Sequence, residues 1–218
     1  WIEQRLRALR LIDMSVGGGA FLVAASRILI QLYAALHAIQ GRPDRPQRYR
    51  EWLAHIFANT IHGLDIAPQA LLIARLRLWL LGLEFNAVQT QGAASFPTLP
   101  HLSVGDALDW TPHQKTAIEL SLFEPAPDPT PPGKLGTAAQ PKFDLCVGNP
   151  PFIALSQRNS VKTKSETIRL WNDSHPANPI KTTSDLSNLF ILKGTELLRP
   201  NGVLAYITSR NFVDTNYG

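Results

Sequence analysis

Asn149-Pro150-Pro151-Phe152 follows directly on a short apolar run, Phe143 to Val147, and its residue types can hold an amine. Two successive prolines fix φ and keep the backbone extended, so nearby carbonyls are presented in a rigid array. The Asn149 amide oxygen and an adjacent carbonyl can both accept hydrogen bonds from one exocyclic NH2 group. Gripping that nitrogen through both hydrogens pushes its lone pair out of conjugation and towards an electrophile. Phe152 offers a face on which a planar base can stack. A plain proline turn is the alternative, but the position straight after a buried strand favours the chemical reading.

Three further segments could surround a ligand. Asp13-x-x-x-Gly17-x-Gly19 is a glycine-rich strand-to-helix turn, and glycines let the backbone approach a ligand that a Cβ would exclude. The turn lacks the third glycine of a phosphate-binding G-x-G-x-x-G, because Phe21 and Leu22 fill that region. A walled pocket for a non-phosphate ligand suits it better, with an ordinary tight turn as the alternative. Asp65 closes another apolar run, where a carboxylate can accept from both hydroxyls of a ribose. The same spacing suits a cap for the helix that begins near Pro68. Asp106 could accept from an adenine amino group, or simply stabilise its turn. Four marked strand ends in one chain point together to a nucleoside ligand.

The elements that must carry these residues alternate in type, which predicts a mostly parallel, doubly wound α/β sheet. Strands are expected at Leu9–Met14, Ile61–Ile66, His101–Val104, Phe143–Val147 and Val203–Thr208. The first is followed by a helix from Ala20 to Gln40, with Gly41 at its C-terminal cap. The stretch from Arg42 to Thr60 reads as a loop and a helix. Pro68 opens another helix and Gly82 ends it. Asp185 caps a helix carrying Leu186, Leu189, Phe190 and Leu197 inward, and Pro200-Asn201-Gly202 turns into the last strand. Six prolines between Glu124 and Lys142 mark a surface insertion, and the span from Ser156 to Ser184 reads as a polar, basic loop facing phosphates or solvent.

At 218 residues the chain can hold one sizeable domain, and 44% hydrophobic against 17% charged residues is a globular composition. Cys146 is the only cysteine, which excludes a disulfide framework or a cysteine metal site and suits a reducing cytoplasm. Phe21 to Ile39 is interrupted by Arg27, Gln31 and His37, so a buried helix fits better than a membrane span. A net charge of +4 is a slight pointer to a polyanionic partner.

These motifs resemble the class I S-adenosylmethionine-dependent methyltransferases, and within them the adenine-N6 DNA methyltransferases of the restriction-modification kind. DMSVGGGAFLVAA resembles their glycine-rich segment, GLDIAPQALLIARLRLWL their second motif, GDALDW their third, and FDLCVGNPPF their catalytic motif. The resemblance implies a Rossmann-like core that binds S-adenosylmethionine and acts on DNA by base flipping. Asp13, Gly17 and Gly19 would line the methionine part of the cofactor. Asp65, with Ile66, would hold its ribose, and Asp106, with Ala107, its adenine. Asn149, Pro150 and Pro151 would present the target amine, with Phe152 stacked on the flipped base. Met14, Val16 and Gly18 depart from the family's proline, cysteine and serine. The resemblance also implies a partial catalytic domain over residues 1–218, with an upstream cofactor segment, two further strands and a target-recognition domain expected outside it and the C-terminal edge of the sheet expected to be incomplete. Protein glutamine and RNA adenine present comparable amines, and a non-catalytic nucleotide-binding module is the remaining alternative.

Overall fold

The computed structural model describes residues 1–43, 46–85, 100–108, 143–151, 164–176, 179–181 and 186–208. Five strands form one sheet: β1 (Leu11–Asp13), β2 (Ile61–Asp65), β3 (His101–Val104), β4 (Phe143–Gly148) and β5 (Leu198–Tyr206). All neighbours are parallel and the order is β3-β2-β1-β4-β5. The expected doubly wound architecture is therefore present. In register, Asp13 lies beside Gly63 of β2 and Val147 of β4.

The helices are α1 (Ile2–Ala8), α2 (Ala20–Ile39), α3 (Pro46–His55), α4 (Pro68–Glu84), α5 (Lys164–Ser174) and α6 (Leu186–Leu197). Side chains alternate across a strand, so β1 feeds two cores. Leu11 joins Leu22, Leu53, Ile61 and Leu71 beneath α2, α3 and α4, whereas Ile12 joins Cys146, Trp171 and Leu189 beneath α5 and α6. All three β1 residues are buried, as expected of a parallel strand covered on both faces. Gly41 closes α2 as foreseen: its N–H reaches Ala38 O and Arg42 N–H reaches His37 O, a Schellman pair.

Several boundaries differ from expectation. β1 is three residues long, because Leu9 caps α1 and Met14 already belongs to the turn. The α1 helix was not foreseen, and it buries no residue. Gly82 does not end α4, which runs on to Glu84; Gly82 is buried there beside Leu81. The second helix continues beyond His55 as a π-turn over Ile56–Thr60 that leads directly into β2. The Pro200-Asn201-Gly202 turn lies within β5 as a bulge. Phe143 pairs with Leu198 while Leu145 pairs with Val203, and Asn201 takes a left-handed φ of 65° to make it. Within the polar span from Ser156 to Ser184, α5 is helical, with Ile168 and Trp171 buried. The α2 helix is only half interior. Leu22, Leu29, Ile30 and Tyr33 are buried, while Ile28, Leu32 and Ile39 face outward. It is long and apolar enough to cross a membrane, but here its inner face packs against α3, α4 and β2. The Pro-rich insertion, Phe152 and Asp185 lie outside the described residues.

Candidate functional site

In a sheet of this order the chain leaves β1 for β2 on one side, while β4 pairs on the other. The carboxyl ends of β1 and β4 therefore flank the topological switch point, where open parallel sheets bind ligands. Asp13 ends β1 and Gly148-Asn149 leaves β4.

The turn after β1 is held by its own backbone and by β2. Ser15 N–H donates to Asp13 Oδ1 at 2.9 Å, and Val16 N–H to Leu64 O at 3.2 Å. Gly17 N–H donates to Asp65 Oδ2 at 2.7 Å. Gly19 is a position at which only glycine fits. Its φ is 80°, and an added Cβ would lie 2.8 Å from the Ala74 Cβ and 2.9 Å from its Cα. The α2 terminus can therefore sit directly against α4. Arg77 of α4 donates to the Gly18 carbonyl at 3.2 Å. Met14 and Val16, the departures from the family's segment, are buried in opposite cores.

Asp65 fastens two elements at once. Its Oδ1 accepts from Ala67 N–H at 2.9 Å while Oδ2 holds Gly17, and its carbonyl accepts from Gly105 N–H at 2.9 Å. It does not cap α4 in the strict sense: the cap position is Ala67, with no side-chain capping bond. Ile66 is half exposed beside it. Asp106 Oδ1 accepts from Leu108 N–H at 3.1 Å and so shapes its own turn, with Ala107 buried behind it.

At the end of β4, Asn149 is exposed, Pro150 buried and Pro151 partly buried. Gly148, to which the sequence reading gave no role, joins the two halves of the site. Its φ is 155°, and a Cβ there would lie 2.8 Å from Asp13 Oδ1 and 3.4 Å from Ser15 Oγ. Its carbonyl accepts from Ile207 N–H at 3.0 Å. The signal was present, since this glycine immediately precedes the asparagine, but the partner it approaches is 135 residues away in sequence and only the fold reveals it.

Asp13 is 0% exposed, and its Oδ2 has no hydrogen-bond partner among the described residues. Burial pushes its carboxyl up to about 7; the Ser15 N–H pulls the other way, and the Asp65 charge adds to the rise. Cys146 Sγ and Tyr206 OH lie 3.0 Å apart on the α6 side of β4 and β5. Burial pushes the Cys146 thiol up to about 12 and raises Tyr206 as well, so both stay neutral. The structure thus gathers Asp13, Gly17, Gly19, Asp65, Gly148, Asn149 and Pro150 along the β2-β1-β4 ends. Asp106 follows β3 at the next strand end.

The chain thus has a parallel 3-2-1-4-5 sheet with a glycine turn after its first strand and Asn-Pro-Pro after its fourth. Residues 59–218 match the Eco57I restriction-modification methylase family, and the chain belongs to that family. It is 28% identical to the adenine-specific methyltransferase PglX of Streptomyces coelicolor, over 96% of this chain and 17% of that one. It is 25% identical to the type II methyltransferase M.BstVI of Geobacillus stearothermophilus, over 99% of this chain and 31% of that one. The chain thus spans less than a third of these curated relatives. Among solved structures, the Type ISP restriction-modification enzyme LlaBIII bound to DNA shares its fold, with a TM-score of 0.61 and 16% identity. That match covers 96% of this chain and 13% of the other. The Type IIL enzyme MmeI in complex with DNA is similar at a TM-score of 0.52 and 18% identity, over 93% and 25%.

Proposed function

We propose that this chain is the catalytic core of an enzyme that transfers a methyl group from S-adenosylmethionine to the N6 amino group of adenine in DNA. The observation that carries the reading is the meeting of Gly148-Asn149-Pro150 with the Asp13 turn across the β1–β4 switch point. On this reading an amine-holding motif stands beside the turn that would receive a nucleoside. Membership of the restriction-modification methylase family supports the same reaction class.

The residues present suit the cofactor. The space above Gly17 is open, since a Cβ there would meet nothing closer than Ser15 O at 3.9 Å. Half-exposed Ile66 offers an apolar surface next to the Asp65 carboxylate. Gly17 and Gly19 would flank the methionine portion, Asp65 the ribose, and Asp106 with Ala107 the adenine. Bound S-adenosylmethionine supplies an electrophilic methyl on a sulfonium. The chain's own part is to hold the acceptor. The Asn149 amide oxygen and the Pro150 carbonyl accept the two amino hydrogens, which turns the nitrogen lone pair towards the methyl group. Pro150 and Pro151 keep that array rigid without loss of rotamer freedom, and fixed orientation of this kind lowers the barrier to transfer. A base inside a duplex cannot reach the motif, so the target must be flipped out, with Phe152 to stack on it.

Incubation of an enzyme that joins this chain to the expected target-recognition domain with S-adenosylmethionine labelled in its methyl group, and with duplex DNA, RNA or protein, tests the assignment. Label on adenine N6 of DNA is expected. Label confined to RNA or to protein glutamine would overturn the substrate.

A further inference from the structure

We propose that Asp13 is a proton-linked positioning residue, the support on which Gly148-Asn149 rests, which releases a proton when a cationic ligand enters the glycine turn. The inference rests on the cofactor assignment above and deepens the part of Asp13, the acid expected beside the methionine portion.

Geometry carries it. Asp13 Oδ1 serves two segments together: it accepts the Ser15 N–H that opens the turn, and it fills the space a Cβ of Gly148 would need. Anything that moves or recharges this carboxyl is therefore felt on both sides, at the turn and at the residue before Asn149. Its second oxygen is buried and has no partner among the described residues, an arrangement that a carboxylate tolerates poorly and a neutral acid tolerates better. Among the described residues, the groups that face it offer no counter-charge. The charge of Asp65 at the end of β2 raises the Asp13 pKa, and Cys146 of β4 and Tyr206 of β5 are neutral. Arg77 of α4 reaches the Gly18 carbonyl. With the turn empty the carboxyl keeps its proton up to about pH 7. A sulfonium or ammonium in the turn is the missing counter-charge, so its arrival favours the ionised form. Binding and acid dissociation are then linked, and the same carboxyl that registers the cofactor sets the Gly148 backbone.

The test uses the full chain. Calorimetric titration with S-adenosylmethionine at pH 7, in buffers of different ionisation enthalpy, should show release of roughly half a proton per site in the wild type. Asp13→Asn should show none. The ratio kcat/KM for the cofactor, which reports groups of the free enzyme, should rise through a limb near pH 7 that Asp13→Asn lacks. Asp13→Ala, which removes the support as well as the proton, should lower kcat at saturating cofactor at least tenfold, and Asp13→Asn should recover part of that loss. Gly148→Ala, which attacks the contact from the other side, should lower kcat and weaken cofactor binding together. Wild-type binding without proton release, an unchanged release in Asp13→Asn, or a kcat indifferent to both Asp13→Ala and Gly148→Ala would overturn the proposal. Absence of any binding heat with the wild type would instead overturn the cofactor assignment beneath it.

Discussion

Asp65 shows how much a single residue reading can and cannot extract. Its type and its place at a strand end mark it for a ribose, and the structure adds that both its oxygens already hold backbone N–H groups, of Gly17 and Ala67. The carboxylate can accept more than two hydrogen bonds, so the two roles are compatible. Asp65→Ala should therefore weaken S-adenosylmethionine binding by about 1–3 kcal/mol and also loosen the turn. Calorimetry on the folded variant checks this, and an unchanged affinity would leave Asp65 as a purely structural tie. Asp13 was legible as an acid at the end of the first strand. Its complete burial was not, because that depends on Gly148, 135 residues away. Its raised pKa fixes the sign of a pH effect. In the unfolded chain the group ionises near pH 4, whereas in the fold it holds its proton to about 7. Stability from this group is full below about pH 4 and is lost as pH rises through 7, by about 4 kcal/mol at most. Comparing the pH dependence of denaturant unfolding for wild type and Asp13→Asn isolates the effect. A difference that does not change between pH 5 and 8 would contradict it.

At the scale of elements, the strands and long helices were readable because apolar runs alternate with turn signals. What was missed has a physical cause in each case. The α1 helix is seven residues long, buries nothing, and is held by a peripheral Arg7–Glu3 pair, so its sequence carries no amphipathic signature. The α5 helix hides Ile168 and Trp171 among charged residues, and its exposed Arg169–Asp173 pair resembles loop composition. Gly82 reads as a stop, but burial beside Leu81 outweighs the roughly 1 kcal/mol that glycine costs a helix interior. The junction of α2 with α4 was foreseen only as a glycine turn. The close approach at Ala74 makes Gly19 indispensable, so Gly19→Ala should destabilise the fold by about 1–3 kcal/mol and weaken cofactor binding with it. Thermal denaturation reads the first effect. A variant as stable as wild type would mean that α4 can retreat without cost.

For the whole molecule, the order β3-β2-β1-β4-β5 explains why motifs scattered over more than a hundred residues converge. Each ends a strand at the same edge of the sheet, and the reversal of direction at β1 opens a crevice between them. The alternation of elements was enough to predict the parallel sheet, and the marked strand ends were enough to predict which segments meet at its carboxyl edge. Their mutual contacts were not predictable, because they arise from packing across the sheet. Exposure of apolar residues is the other property of this scale. Val203 on β5 is 54% exposed and Ile207, just after that strand, 56%, and β5 is the outermost strand on its side among the described residues. Such edges invite pairing, so the 218-residue chain should self-associate, and Val203→Lys should shift it towards monomer in light scattering. Monomeric wild type at high concentration would show that the edge is protected.

The central claim is that Asn149, brought to the glycine turn by the β1–β4 junction, holds the amine that receives the methyl group. The most direct measurement is the single-turnover rate of methyl transfer to duplex DNA by wild type and Asn149→Ala, with cofactor affinity measured alongside. The account predicts a loss of at least about 100-fold in rate with cofactor binding retained, because the missing contact orients the reacting nitrogen. A folded Asn149→Ala enzyme that methylates adenine at a near-normal rate would contradict it.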